Sequence, residues 1–219
     1  MRMPMQARPA TSRVVLLASA LFLGACASNE VTSPAATSPS RAVEASSTFV
    51  PTAATKALIG VVDGTYTVEL DPTHAQSFAL GPNHLDIPAN SVCNLLTSGY
   101  GADYWNRACA PQQLPVVLTV VIKGSKGNHP EVQFFPAMRF NPTKSVQLYI
   151  YAPKVSRDDA KNWLMLYSPD HGKKIDESLT DRDLITYIDY THNVLFRRVK
   201  HFSGYVVAEN DGNGGGIQP

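Results

Sequence analysis

Cysteine is scarce in this chain: three among 219 residues, at 26, 93 and 109. There is no Cys-x-x-Cys and no His-Glu-x-x-His, and the six histidines are scattered. Side chains with zinc-ligand spacing are therefore missing, and neither a metal nor a cofactor is expected. Phosphate-loop spacing is missing too: KGSKG (123–127) reads as a hairpin turn, and TSGYG (97–101) is not a Gly-x-Ser-x-Gly elbow. Neither sign of charge is in excess, with 19 Lys and Arg against 18 Asp and Glu. The densest basic run, Arg197-Arg198-Val199-Lys200, would alternate faces in a strand. No surface that tracks phosphates follows from it, and nucleic-acid binding is not expected. Asp158-Asp159 and Asp176-Glu177 read as solvated faces rather than acid–base pairs. The apolar run near the N-terminus, residues 14–23, is too short to span a bilayer as a stable helix.

That run is the right size for something else. Arg2, Arg8 and Arg13 precede it with no acid among them, and Leu23-Gly24-Ala25-Cys26 follows it. This is the layout of a signal peptide over residues 1–25. Its end resembles the lipobox of bacterial lipoproteins, in which the cysteine takes a diacylglycerol and becomes the first residue after cleavage. The resemblance implies lipidation at Cys26, a palmitate-type acyl anchor and a membrane as partner. Burial contributes about 0.8 kcal/mol per methylene, so two or three acyl chains hold a protein on a membrane where one chain does so only marginally. Ala27 follows in place of the aspartate that retains such proteins at the inner membrane, which implies the outer membrane in a Gram-negative cell. Loss of the three signal arginines leaves 16 basic against 18 acidic side chains, a formal charge of −2 over 194 residues.

Residues 26–55 are rich in Ser, Ala, Thr and Pro and poor in large apolar side chains. Such a segment buries too little to offset its ordering entropy and reads as a disordered tether. Residues 210–219 read as a Gly-rich tail. Between them, residues 56–209 suffice for one domain with a sizeable core. Period-two alternation marks strands at 66–70, 145–151, 162–167, 184–189, 193–199 and 203–208. The β-branched run 114–123 reads as a strand buried on both faces for part of its length. Turn signals at 63–64, 81–83, 124–130, 141–142 and 168–172 separate these runs, and one helical turn is expected at 156–161. The fold class that follows is all-β, an antiparallel sandwich. In an oxidising compartment Cys93 and Cys109 pair by default, closing a loop worth roughly 3 kcal/mol in the chain-entropy model. The loop carries Tyr104 and Trp105. With Tyr149 and Tyr151 they are candidates for a binding surface, a carbohydrate-binding one if all four rings lie coplanar and exposed. Alternatively, Trp105 folds back over one open end of the sandwich.

Three patches add a resemblance. HLDIPANSV (84–92), VQFFPAMRFNPTKSVQLYI (132–150) and VKHFSGYVV (199–207) resemble, in order and spacing, the ZU domain of ankyrins and netrin receptors. The 93–109 insertion departs from that pattern, so ankyrin-type partners are not carried over. In some ZU proteins the chain cuts itself between Phe and Ser of His-Phe-Ser, and the matching positions are His201, Phe202 and Ser203. The resemblance implies Ser203 as nucleophile and His201 as base. The same stretch also reads as a closing strand in which Gly204 marks a bulge or a close approach, and that is the preferred reading of the two. Three functions remain open at this point: a non-catalytic module displayed in the cell envelope to a protein or glycan, a domain that cuts itself once, and a carbohydrate-binding module.

Overall fold

The computed structural model describes residues 63–127, 129–158, 162–169 and 172–210, with two-residue strands at 43–44 and 217–218. The signal segment and Cys26, and the linker and tail apart from those short strands, lie outside the described residues. Two sheets face each other. In chain order the strands are β1 (Val43–Glu44), β2 (Gly64–Leu70), β3 (Gln76–Leu80), β4 (Asn83–Ile87), β5 (Val116–Lys123), β6 (Glu131–Arg139), β7 (Val146–Tyr151), β8 (Asn162–Tyr167), β9 (Lys174–Ile175), β10 (Tyr187–Asp189), β11 (Val194–Val199), β12 (His201–Asn210) and β13 (Ile217–Gln218). One sheet runs β1-β10-β11-β7-β4-β3, the other β13-β9-β8-β12-β6-β5-β2. Only the two-residue strands at the margins, β1 on β10 and β13 on β9, pair in parallel. The all-β sandwich expected from the alternation is the observed architecture.

The period-two runs fold as their patterns demand. Val146, Leu148 and Ile150 of β7 are buried between the sheets, while Gln147, Tyr149 and Tyr151 face outward. β5 corrects one expectation. It buries Val116, Leu118, Val120 and Ile122, but Val117 is 62% exposed, so one face is covered and not two. Two neighbouring strands, β8 and β12, are buried on both faces. Trp163, Met165 and Tyr167 enter the main core, and Leu164 and Leu166 form a second cluster with Val206 and Ala208. Gly81 makes the β3–β4 turn at φ 64°, a backbone state glycine adopts without steric cost.

The run at 184–189 is only partly strand. Asp181 and Asp176 each accept a backbone N–H two residues on, through Asp183 and Ser178, and so cap two single 3₁₀ turns, Arg182–Leu184 and Glu177–Leu179. Such local side-chain bonds compete with the ladder, which leaves only Tyr187–Asp189 extended. At 156–158 the chain makes a turn, with Ser156 Oγ accepting from the Asp158 N–H at 3.3 Å; residues 159–161 lie outside the described residues.

Candidate functional site

β12 fills the middle of the larger sheet, between β8 and β6, and its pairing with β6 is irregular. His201 and Phe202 lie opposite Arg139 and Met138, but Gly204 lies opposite Gln133. The four residues Phe134–Ala137 of β6 have no partner on β12, although Phe134 and Phe135 keep their pairing with β5, and Ser203 lies opposite this bulge. A bulge re-aims side chains and frees backbone groups from the ladder. At the edge of this bulge the carbonyl of Phe202, which still pairs with Met138, accepts a hydrogen bond from the Tyr100 hydroxyl at 2.8 Å. Immediately beyond, Gly204 is held by a close backbone approach. Its carbonyl accepts from the Ser168 N–H at 2.8 Å, and a Cβ there would sit 2.4 Å from the Ser168 carbonyl oxygen. Only glycine fits.

The side chains around this kink are packed by two covers. The first is the loop closed by the Cys93–Cys109 disulfide. It lays Trp105 on the His201 ring, centroids 3.9 Å apart and planes 22° from parallel, and sets Tyr100 edge-on to the same ring. The second is the strap of residues 174–184, whose acids meet the basic run near the end of the chain. Glu177 accepts from Arg197 at 2.9 Å and holds His201 Nε2 at 2.8 Å; Asp181 pairs with Lys200; Asp183 pairs with Arg198 at 3.2 Å. Burial alone would raise the Glu177 carboxyl. The hydrogen bond from His201 and the charges of Arg197, His201 and Lys200 outweigh it and hold that carboxyl below its ordinary value. The Asp181 carboxyl is held low for the same kind of reason, Lys200 outweighing its partial burial.

A carboxylate can only accept, so Glu177 fixes the His201 proton on Nε2 and leaves Nδ1 as the basic nitrogen. His201 Nδ1, Ser203 Oγ and Trp105 Nε1 are all shut off from solvent and without a hydrogen-bond partner among the described residues. Three such atoms at one kink are unusual, since buried polar groups are nearly always paired. Phe202 points the other way, fully buried, stacked on Phe134 at 4.1 Å and edge-on to Phe140 at 4.6 Å. The structure thus brings His201, Phe202 and Ser203 together with the disulfide loop.

It does not assemble the four rings expected as one platform. Trp105 is turned inward onto His201. Tyr104 sits on the loop with the Arg107 guanidinium 5.2 Å over its ring. Tyr149 and Tyr151 belong to the outer face of β7. There Tyr149 joins a different set. Tyr187, Phe196, Tyr149 and His84 lie directly opposite one another across β10, β11, β7 and β4. Their rings run side by side at 5.4, 5.3 and 5.5 Å. A second row, Arg198, Gln147 and Asp86, runs parallel to it in the same register. Tyr149 donates to Gln147 Oε1 at 2.8 Å, and burial, with Asp86 nearby, pushes its phenol up to about 12. A groove of about 340 Å³ opens beside the two rows, bounded by Gln147, Arg182, Tyr187, Phe196 and Arg198.

Asp176 and Glu177 correct a further expectation: they are not a solvated face but are 3% and 4% exposed. Asp176 is consumed in capping its turn and Glu177 in neutralising Arg197. The signal was available, since a buried guanidinium in the run at 197–200 requires an acid somewhere, but nothing in the spacing says which. Tyr100, Tyr187 and Phe196 also escaped the sequence, being set by pairings between distant strands. Among the described residues no cluster of His, Cys, Asp and Glu has the grouping of a metal site, and no helix of the described residues is long and apolar enough to cross a membrane. No family model, no curated protein and no solved structure matches the chain.

Proposed function

We propose that this chain is a lipid-anchored, non-catalytic β-sandwich that presents the outer face of its smaller sheet to a glycan or protein of the cell envelope. The observation that supports this reading is the aromatic row Tyr187, Phe196, Tyr149 and His84 beside the polar row and groove. Aromatic side chains and arginines flanked by hydrogen-bonding groups are the composition of binding surfaces. The anchor is Cys26 and the tether is 26–55, with the outer membrane as address in a Gram-negative cell. Retention of the full-length, detergent-solubilised protein on isolated cell-wall glycan and on a glycan array tests the face. Phe196→Ala lowers retention at least tenfold while the fold survives; equal retention by the variant sinks the reading. Intact mass tests the anchor: Cys26→Ser abolishes both acylation and cleavage before residue 26, and a cleaved, acylated variant would refute it.

A second reading is favoured by the kink in β12. On the ZU-like resemblance, the Phe202–Ser203 bond is cut by Ser203 with His201 as base. The solvent-excluded, unpartnered Ser203 Oγ and His201 Nδ1 support it. Both pieces remain associated afterwards, because Tyr205 and Val207 stay in the core and the ladder to β8 persists. Denaturing electrophoresis then resolves two pieces where native chromatography shows one, and Ser203→Ala restores a single chain.

A further inference from the structure

Resting on that second reading, we infer that Tyr100 is a catalytic residue of the self-cleavage, its hydroxyl polarising the Phe202 carbonyl and holding the negative charge that develops on that oxygen. The step begins when Ser203 Oγ adds to the Phe202 carbonyl carbon and its proton passes to His201. The carbonyl oxygen becomes an oxyanion. The C–N bond then breaks, the proton moves from His201 to the departing Ser203 nitrogen, and an ester joins Phe202 to the Ser203 side chain with the Ser203 amine free. Water, giving a proton to the now neutral His201, adds to the ester carbonyl; the second oxyanion collapses as that proton passes to the departing Ser203 Oγ, and the new acid ionises, leaving a Phe202 carboxylate and a restored Ser203 hydroxyl. Tyr100 gives up no proton. It donates the same hydrogen bond to the oxygen at both stages.

Four observations place it in this role. The phenol already touches the reacting oxygen, at 2.8 Å. That oxygen belongs to Phe202, the last residue of β12 paired with β6 before the bulge, so the reacting bond lies at the edge of the irregularity. The loop that carries Tyr100 is closed by a disulfide and seated on His201 through Trp105, so the donor is fixed before reaction begins, which is the condition under which such donors act strongly. Burial, first, and the nearby Tyr167 and Glu177 raise the phenol well above its ordinary value. Tyr100 is therefore a protonated donor at neutral pH.

The experiment follows purified full-length protein in time by denaturing electrophoresis and intact mass. Wild type is expected to give a piece beginning at Ser203, and Ser203→Ala none. Tyr100→Phe, which keeps the ring against His201, is expected to slow the first-order rate at least 100-fold, the range seen when one oxyanion donor is removed, with the thermal midpoint within about 2 °C of wild type. Placing 3-fluorotyrosine at position 100 keeps the shape and supplies a more acidic donor, so the cut is expected to proceed faster than wild type; a residue that merely packs would leave the rate unchanged. This second variant also serves if Tyr100→Phe fails to fold. Hydroxylamine intercepts the ester and is expected to accelerate cleavage in wild type far more than in Tyr100→Phe. If wild type cuts and Tyr100→Phe cuts within threefold of it, the role of Tyr100 is overturned while self-cleavage stands. If wild type remains one chain, with hydroxylamine or without, self-cleavage itself falls, and the catalytic role of Tyr100 with it.

Discussion

His84 and His201 each hold a carboxylate at 2.8 Å, Asp86 in one case and Glu177 in the other. The first pair lies on the outer face of the smaller sheet, with Asp86 42% exposed, and shares its oxygen with Ser77. The second lies under two covers with His201 fully buried, and its carboxylate also neutralises Arg197. Identical contact distances hide opposite energetics. In water-like surroundings an ion pair can be lost with little consequence, whereas an acid that serves a buried guanidinium and a buried imidazole cannot be removed without stranding both. The open face is therefore free to vary its partners, and the covered end of β12 is committed to a single arrangement.

That contrast can be broken most sharply at Glu177. Glu177→Ala leaves Arg197 and His201 buried without their anion and is expected to cost about 3–5 kcal/mol, read as a lowered urea midpoint at unchanged slope. Gly204→Ala comes next. Its new methyl meets the Ser168 carbonyl oxygen, which belongs to backbone and cannot swing aside, so a loss of about 1–3 kcal/mol is expected in the same titration. Acid sharpens the comparison without a mutation. Glu177 and Asp181 are both held below their ordinary values in the fold, so the unfolded chain takes up protons first. Their contribution is whole above about pH 5 and drains as pH falls through the carboxylate range toward the folded values. Stability should decline over that window, and less steeply in Asp181→Asn; parallel curves would show that Lys200 contributes nothing through Asp181. Smallest of all is Asp86→Ala on the open face, expected within about 1 kcal/mol of wild type. A loss as large as that of Glu177→Ala would erase the distinction between the two regions.

The sheets were legible because burial on a strand is periodic. Val146, Leu148 and Ile150 declare an inner face by their spacing alone, and Cys93 and Cys109 were the only candidates for each other once Cys26 was assigned elsewhere. What was not legible depends on which strands lie side by side. Tyr187, Phe196, Tyr149 and His84 are spread over 113 residues of sequence, and no local pattern says that they share one row. Glu177 looked solvated because its neighbours in sequence are polar, and it is buried because Arg197 is. At β12 the sequence carried the kink, through Gly204, but not the phenol that meets it, since Tyr100 arrives from a loop 102 residues earlier.

The position of β12 has a consequence for how the chain is made. It is the latest of the long strands in order of synthesis, yet it occupies the centre of its sheet, with β8 on one side and β6 on the other. Before it arrives those two strands have no edge in common, and Phe134 and Tyr167 lack the rings they pack against. A chain emerging one residue at a time therefore cannot complete this sheet until about residue 209 is free.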